Sequence, residues 1–275
     1  MLNSLSAAAP IGVFDSGVGG LSVLKAAQAQ LPHEDFIYFA DSGFAPYGDK
    51  SDGYVIERSE HIGAWLVAQG VKAIVVACNT ATAIAVKALR AKYALPIVGI
   101  EPGLKPAITA TRSGKVGVLA TARTLASDRY ATLLARMQAQ APNIIFMPRV
   151  GEGWVEQVER GEFNTPHVRQ MVEDVVAPLV EAGCDTLVVG CTHYPFLSHV
   201  IQVAAPHVAI IDTATAVARE LARRIATESV SNDLAQVGSL RLATTGDCTS
   251  VTLLTERMLG TRPQSISQAG ILQTS

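Results

Sequence analysis

Two stretches of the sequence are built alike: residues 69–80 read QGVKAIVVACNT, and residues 182–193 read AGCDTLVVGCTH. Each has a glycine that can end a helix, then a continuous apolar run, then a cysteine, Cys78 or Cys191. Continuous aliphatic runs of this length are typical of strands that are buried on both faces of a parallel sheet. The repeat therefore predicts two similar halves, each with a cysteine where a buried strand ends.

Comparable apolar runs recur along the chain and alternate with stretches of helical pattern. Such alternation is typical of an α/β fold with mainly parallel sheets flanked by helices. We expect two similar domains related by a pseudo-two-fold axis. The active site should lie in the cleft between them, because open parallel sheets bind ligands beyond the carboxyl ends of their strands. The predicted strands are 11–14, 36–39, 73–77, 97–100, 116–119, 144–146, 186–189 and 209–211.

The ends of these runs also predict the division of the chain. The first domain should comprise residues 11–101 together with 212–262, and the second should comprise residues 102–211. Polar or irregular composition marks segments outside this packed structure. These are an N-terminal tail, a loop and a C-terminal tail, at residues 1–10, 229–238 and 263–275.

Composition bounds the class of protein. The chain has 275 residues, 49% of them apolar and 17% charged, which is enough for two domains with buried cores. A net charge of −2 predicts no nucleic-acid partner, and no apolar run reaches the roughly 18 residues of a membrane span. Residues 1–10 do not resemble a secretion signal, so we expect a cytoplasmic protein with reduced thiols. The four cysteines form no metal-binding or disulfide pattern: Cys78, Cys184, Cys191 and Cys248.

The paired cysteines indicate acid–base chemistry. A thiol between a strand and a helix is well placed to ionise, because free N–H groups and the helix dipole stabilise a thiolate. Either cysteine alone would most often be an ordinary buried residue. Two at matching positions favour a function, and racemisation needs a base at one face of a carbon and an acid at the other. We therefore expect Cys78 and Cys191 to exchange these two roles.

Polar residues around the cysteines could bind a small anionic substrate. Asn79-Thr80 and Thr192-His193 can hold a carboxylate at helix N-termini, although helix capping is an ordinary alternative for them. His193 could also relay a proton. The glycine-rich segment from Asp15 to Gly20 is neither a dinucleotide fingerprint nor a phosphate loop, and predicts close backbone approach to a ligand. Residues 46–48, Pro-Tyr-Gly, could close the cleft or form a plain turn.

Four motifs together resemble the glutamate racemase family over residues 11–221: FDSGVGGL, APYG, ACNTA and GCTHYP. The resemblance implies cofactor-independent interconversion of L- and D-glutamate, which supplies D-glutamate for peptidoglycan. It implies catalysis by Cys78 and Cys191, with Asp15 and His193 assisting; Cys78 would deprotonate D-glutamate and Cys191 L-glutamate. The implied substrate contacts are Asp15, Ser16, Tyr47, Gly48, Asn79, Thr80, Thr192 and His193.

Details within the motifs bear on substrate and on roles. The HYP sequence after the second Cys-Thr favours glutamate over aspartate racemases, which tend to have glutamate there. Phe44 stands where the family usually has an arginine. Farther along, Glu156 matches a family glutamate best, with Glu152 as a rival.

Two other classes of function remain open from the residues alone. A two-lobed α/β protein could bind an acidic amino acid without reacting, and Cys191 with His193 could form a hydrolase site. Neither hypothesis gives the matched pair of thiols a use. An active site enclosed between two domains must open and close, so we also expect a homodimer that controls this motion.

Overall fold

The computed structural model of the protein describes residues 6–228 and 237–269. Its strands are all parallel to their neighbours and fall into two sheets. The strands are β1 (Ile11–Asp15), β2 (Phe36–Ala40), β3 (Ala73–Val76), β4 (Ile97–Gly99), β5 (Lys115–Ala120), β6 (Ile145–Val150), β7 (Thr186–Val189), β8 (Ala209–Ile211), β9 (Leu240–Thr244) and β10 (Ser265–Gln268).

Helices connect the strands, and several begin at a residue whose side chain caps the first turn. Ser51, Thr165 and Asp247 each accept a hydrogen bond from the backbone N–H three residues on. The helices are α1 (Leu21–Gln30), α2 (Asp52–Ala68), α3 (Asn79–Lys92), α4 (Leu104–Ala110), α5 (Ala122–Leu125), α6 (Asp128–Gln140), α7 (Trp154–Glu159), α8 (Pro166–Glu181), α9 (Ser198–Ala204), α10 (Ala214–Thr227) and α11 (Cys248–Leu259). Within the two described ranges, no helix combines the length and apolarity needed to cross a membrane.

The two sheets repeat one arrangement. The described part of the first sheet has the strand order β10-β9-β2-β1-β3-β4, and the second has the order β6-β5-β7-β8. The four strands β2-β1-β3-β4 therefore correspond in order to β6-β5-β7-β8. The predicted α/β fold is confirmed, and all eight predicted strands are present. Cys78 follows β3 and Cys191 follows β7, so the cysteines occupy matching positions of the two sheets.

The central strands form the core because helices cover them on both faces. Every residue of β1, β2, β3 and β7 is buried. Burying one Val, Ile, Leu or Phe side chain contributes about 1.5–3 kcal/mol to the free energy of unfolding. The edge strand β6 differs: Ile145 is 56% exposed, and Pro148 is accommodated there because an edge strand needs fewer backbone donors.

The predicted C-terminal tail is wrong in part, because β10 lies within residues 263–275. Its side chains are mostly exposed, and its backbone pairs with β9, another strand that the sequence analysis missed. Hydrogen bonds from Gln264 N to Leu240 O and from Ala269 N to Thr244 O flank the pairing. A short polar edge strand has no apolar run, so hydrophobic patterning cannot reveal it. Residues 1–5, 229–236 and 270–275, which include most of the other predicted tail and loop segments, lie outside the described residues.

Removal of residues 263–275 should therefore destabilise the protein. It deletes β10 and leaves the backbone of β9 as an open sheet edge, which favours aggregation. We expect the melting temperature to fall by about 5 °C relative to a chain that lacks only residues 270–275. Thermal unfolding followed by circular dichroism tests this expectation. Equal melting temperatures for the two truncations would show that β10 adds no stability.

Candidate active site

A narrow cavity, with only about 10 Å³ of free volume, lies between the two sheets, beyond the carboxyl ends of their strands. Loops that follow strands of both sheets supply its walls, so most predicted site residues come together here. Thr121 and Val155, which the sequence analysis did not select, also line it. The lining residues are Ser16, Pro46, Tyr47, Gly48, Cys78, Asn79, Thr80, Thr121, Val155, Cys191, Thr192 and His193.

Cys78 is the N-cap residue of helix α3, and its sulfur accepts a hydrogen bond from the N–H of Ala81 at 3.4 Å. Ser16 Oγ lies 3.8 Å from the same sulfur. Burial and the nearby Asp15 carboxylate raise the pKa of the Cys78 thiol, and the helix N–H lowers it by less. The position at the start of a helix favours ionisation, but in the folded protein burial and Asp15 outweigh that effect and favour the neutral thiol. A negative charge on Cys191 would raise the pKa of Cys78 further.

Cys191 has a different local setting. A 3-10 turn at Tyr194–Leu197 follows it, and helix α9 begins only at Ser198. The expectation that a regular helix starts beside this cysteine is therefore wrong. Its sulfur lies instead 3.8 Å from Nδ1 of His193. The group beside the Cys191 sulfur is thus an imidazole, which can exchange a proton with it, and not the N-terminus of a helix.

His193 is held by Glu159, which the sequence analysis missed. Nε2 of His193 lies 2.6 Å from Oε1 of Glu159, and the same oxygen accepts the N–H of Val18 at 2.6 Å. Burial lowers the pKa of His193, but hydrogen bonds to Cys191 and Glu159, with the charge of Asp15, raise it well above its usual value. These contacts favour the protonated form of His193 in the free protein.

The predicted match of Glu156 to the family glutamate is not supported by this geometry. Glu159 lies one helical turn farther along α7 and is the carboxylate that reaches His193. Glu156 and Glu152 instead line an adjoining, more open cavity, together with Gly48 and Thr121. Positions three apart share a helix face, so one sequence alone could not distinguish these glutamates.

Asp15 joins the two halves of the site. It is fully buried at the end of β1 and accepts hydrogen bonds from Gly17 N and from Thr192 Oγ1, both at 3.0 Å. Burial raises its pKa, and the charge of His193 opposes that rise. A carboxyl group with a raised pKa is a better proton acceptor, and this one lies close enough to affect the Cys78 thiol.

Two polar groups of the cavity are arranged to meet a ligand. Among the described residues, neither amide atom of Asn79 has a hydrogen-bond partner, although both are buried. Buried polar groups are usually satisfied, so this side chain is prepared to bind something polar. Thr80 and Thr121 lie 3.0 Å apart, hydroxyl to hydroxyl, across the two halves. Thr121 follows β5 as Ser16 follows β1, so the two residues occupy matching positions of the two sheets. The repeat in the sequence could therefore have pointed to Thr121.

The repeated sheets and the shared cavity define a two-lobed α/β enzyme whose site draws on both halves. Residues 21–221 match the model of the Asp/Glu/Hydantoin racemase family. The chain belongs to this family and is a racemase, an isomerase. A non-catalytic binding protein and a cysteine hydrolase are therefore no longer supported.

Individual relatives agree with this assignment. A glutamate racemase from Methylococcus capsulatus is 52% identical over 217 residues, which are 78% of this chain and 79% of the relative. The structure is similar to that of glutamate racemase from Francisella tularensis in complex with D-glutamate. The TM-score is 0.83 at 28% identity, covering 96% of this chain and 98% of that one. It is also similar to the Escherichia coli glutamate racemase in complex with L-glutamate and the activator UDP-MurNAc-ala. There the TM-score is 0.84 at 28% identity, with 96% and 100% covered.

Glycines after β1 allow the two halves to approach, which predicts a steric effect. A Cβ atom on Gly19 would lie 2.2 Å from Nδ1 of His193, whereas one on Gly53 in helix α2 would meet nothing within 4 Å. Gly19→Ala should lower kcat/KM for racemisation on the order of 100-fold, because His193 must move. Gly53→Ala should leave kcat/KM unchanged. Comparable activity of both variants would contradict the proposed packing.

The contact between Glu159 and His193 predicts the protonation of the imidazole. An NMR titration should place the midpoint of His193 well above pH 6.5. Glu159→Gln removes one cause of the raised pKa, so the midpoint should move down by about one pH unit. Glu156→Gln should leave it in place. Equal midpoints in the two variants would show that Glu159 does not set the protonation of His193.

Proposed function

We propose that the chain is a glutamate racemase that uses Cys78 and Cys191 as its two acid–base groups, without a cofactor. The observation that carries this proposal is that both sulfurs line one cavity from matching positions of two similar sheets. Racemisation at a tetrahedral carbon needs opposed groups on its two faces. Two matched lobes that close on one small molecule are a direct way to provide them.

Glutamate is the substrate that the relatives favour. The Methylococcus capsulatus relative is a glutamate racemase, and the similar structures hold D-glutamate in one case and L-glutamate in the other. The residues that line the cavity include Ser16, Asn79 and three threonines, which can hydrogen-bond to the charged groups of an amino acid once the lobes separate to admit it. The HYP sequence that follows Thr192 agrees with this choice over aspartate.

The polar lining would fix the orientation of the substrate. The unpaired amide of Asn79 can donate a hydrogen bond to a carboxylate, and the hydroxyl of Thr80 can do so when it turns away from Thr121. The hydroxyl of Thr192 donates its proton to Asp15, so its oxygen would accept from the α-ammonium group.

Asp15 is fully buried and does not line the cavity, but it bonds to Thr192, which does, and its charge would attract the α-ammonium group. Ser16 and the Tyr47-Gly48 segment would complete the wall. Enclosure by both lobes excludes water, which strengthens these interactions.

Each thiol has a neighbouring group that can handle its proton. Asp15, with its raised pKa, can accept the proton of Cys78 when D-glutamate is to be deprotonated. The resulting thiolate removes the α-proton, and the Cys191 thiol donates a proton to the opposite face. His193, protonated and 3.8 Å from the Cys191 sulfur, then restores that thiol. When product leaves, Asp15 releases the proton that it took from Cys78 and His193 takes one up, both by exchange with solvent, and the cycle closes. Reaction from L-glutamate starts from the alternative protonation state, with Asp15 protonated and His193 neutral, and runs through the same groups in reverse.

The setting of the enzyme follows from the same proposal. D-glutamate would be supplied to peptidoglycan synthesis in the cytoplasm, where both thiols stay reduced. We also propose that the enzyme works as a homodimer, since contact between copies could control the opening of the cleft. A rate per subunit that falls on dilution would support the dimer, and a constant rate would argue against it.

Isotope exchange tests the function and the cysteines together. In D₂O with L-glutamate and no added cofactor, the enzyme should place deuterium at the α-carbon while optical rotation decays to zero. Cys78→Ser and Cys191→Ser should each lower racemisation by at least about 100-fold, because each removes one acid–base group. Cys184→Ser is the matched control, since Cys184 is a buried thiol that contacts Met147 outside the cavity.

Three outcomes would overturn parts of the proposal. Exchange with aspartate but not glutamate would contradict the substrate. Full racemase activity of Cys78→Ser or Cys191→Ser would contradict the two-base mechanism. Loss of activity on extensive dialysis of the purified enzyme, restored by adding a cofactor back, would contradict cofactor independence.

A further inference from the structure

A buried ion pair stands behind one wall of the cavity. Arg58 of helix α2 grips Asp41 with two hydrogen bonds, from Nε at 3.0 Å and from Nη2 at 2.6 Å. Asp41 is fully buried at the end of β2, and Arg58 is only 5% exposed. Two-pronged arginine–carboxylate pairs fix geometry as well as charge, so the position of the Asp41 carboxylate is well defined.

The same carboxylate anchors the segment that follows it. The hydroxyl of Tyr47 donates to Oδ2 of Asp41 at 2.5 Å, and Thr245 Oγ1 donates to Oδ1 at 2.9 Å. The ring of Phe44 stacks on the guanidinium of Arg58, with 3.7 Å between its centroid and Cζ. Residues 42–48 are thus held at two points: Phe44 packs on Arg58, and Tyr47 hydrogen-bonds to Asp41.

This segment carries two residues of the cavity wall. Tyr47 and Gly48 line the cavity, and a Cβ atom placed on Gly48 would lie 3.3 Å from Cβ of Thr121 in the other half. The hydroxyl end of Tyr47 is committed to Asp41, so the rest of the residue is left to face the cavity. Movement of the carboxylate would therefore move the wall.

The family resemblance leads one to expect an arginine at position 44, where this chain has Phe44. We propose that Arg58 is a positioning residue for the substrate: from helix α2, through Asp41, it holds Tyr47 and Gly48 against the bound amino acid. Phe44, on the segment that Arg58 positions, packs on the same guanidinium. The proposal rests on the proposed function, because it takes the Tyr47-Gly48 wall as part of the substrate site.

A purely structural role for the ion pair makes a different prediction. Loss of a stabilising pair would lower the melting temperature while the folded enzyme kept its KM. Loss of a positioned wall raises KM, because contacts made equally to substrate and transition state are weakened. Steady-state kinetics on the folded fraction, with melting curves for each variant, separates the two roles.

Arg58→Met, Tyr47→Phe and the double variant test the proposal. Arg58→Met should raise KM for L-glutamate about tenfold with kcat changed by less than about threefold, and Tyr47→Phe should raise KM about threefold. Both substitutions break the same link, from Arg58 through Asp41 to Tyr47. The KM of the double variant should therefore be no higher than that of Arg58→Met. Arg90→Met is the control: Arg90 donates two hydrogen bonds to Ile97 O, away from the cavity, and its loss should leave KM unchanged.

The proposal is overturned if Arg58→Met has the KM of Arg90→Met, or if the effects of Arg58→Met and Tyr47→Phe multiply. Should Arg58→Met fail to fold, Arg58→Lys replaces it in the same comparison. Lysine keeps the charge but cannot make both hydrogen bonds to Asp41, so KM should rise about threefold. Adding Tyr47→Phe to Arg58→Lys should not multiply the two effects on KM. Racemisation of glutamate by the unaltered enzyme in the same assay tests the proposed function separately.

Discussion

The close approach of the loop after β1 to helix α7 and His193 is the constraint on which the site depends. Glu159 Oε1 lies 2.6 Å from the N–H of Val18, and a Cβ atom on Gly17 would come within 1.9 Å of that oxygen. Only a backbone without side chains allows one half to lie this near the carboxylate of the other. The glycine-rich segment after β1, which predicted close backbone approach to a ligand, is therefore also a packing surface between the two halves. It brings the environments of Cys78 and Cys191 into one cavity.

This contact also gathers charge where water is largely excluded. Asp15, Glu159 and His193 come from both halves, and an isolated buried charge would be costly. Hydrogen bonds to Cys191 and Glu159, together with the charge of Asp15, raise the pKa of His193 despite its burial. The two cysteines consequently have unlike partners, a carboxylate for Cys78 and an imidazole for Cys191. The matched strands give the symmetry of position, and the partners give each thiol its own route for a proton.

Much of this arrangement could be predicted from the sequence, because buried parallel strands leave a strong aliphatic pattern. The repeat around Cys78 and Cys191 located the ends of β3 and β7 and hence the cavity. Strand β10 escaped because backbone pairing, rather than apolar side chains, holds it. The pKa of Cys78 could not be predicted because burial opposes the helix dipole, and only the fold shows which effect is larger. The link from Arg58 to Asp41 joins residues 17 positions apart, and no local pattern predicts such a pair.

The central claim is that two thiols act on opposite faces of one α-carbon. A crystal structure of the protein with D-glutamate bound tests it most directly. The account predicts that the α-carbon lies between the two sulfurs, with each Sγ within about 3.5 Å of it and on opposite sides of the plane of its other substituents. A bound glutamate with both sulfurs on one face, or with one sulfur far from the α-carbon, would contradict the account.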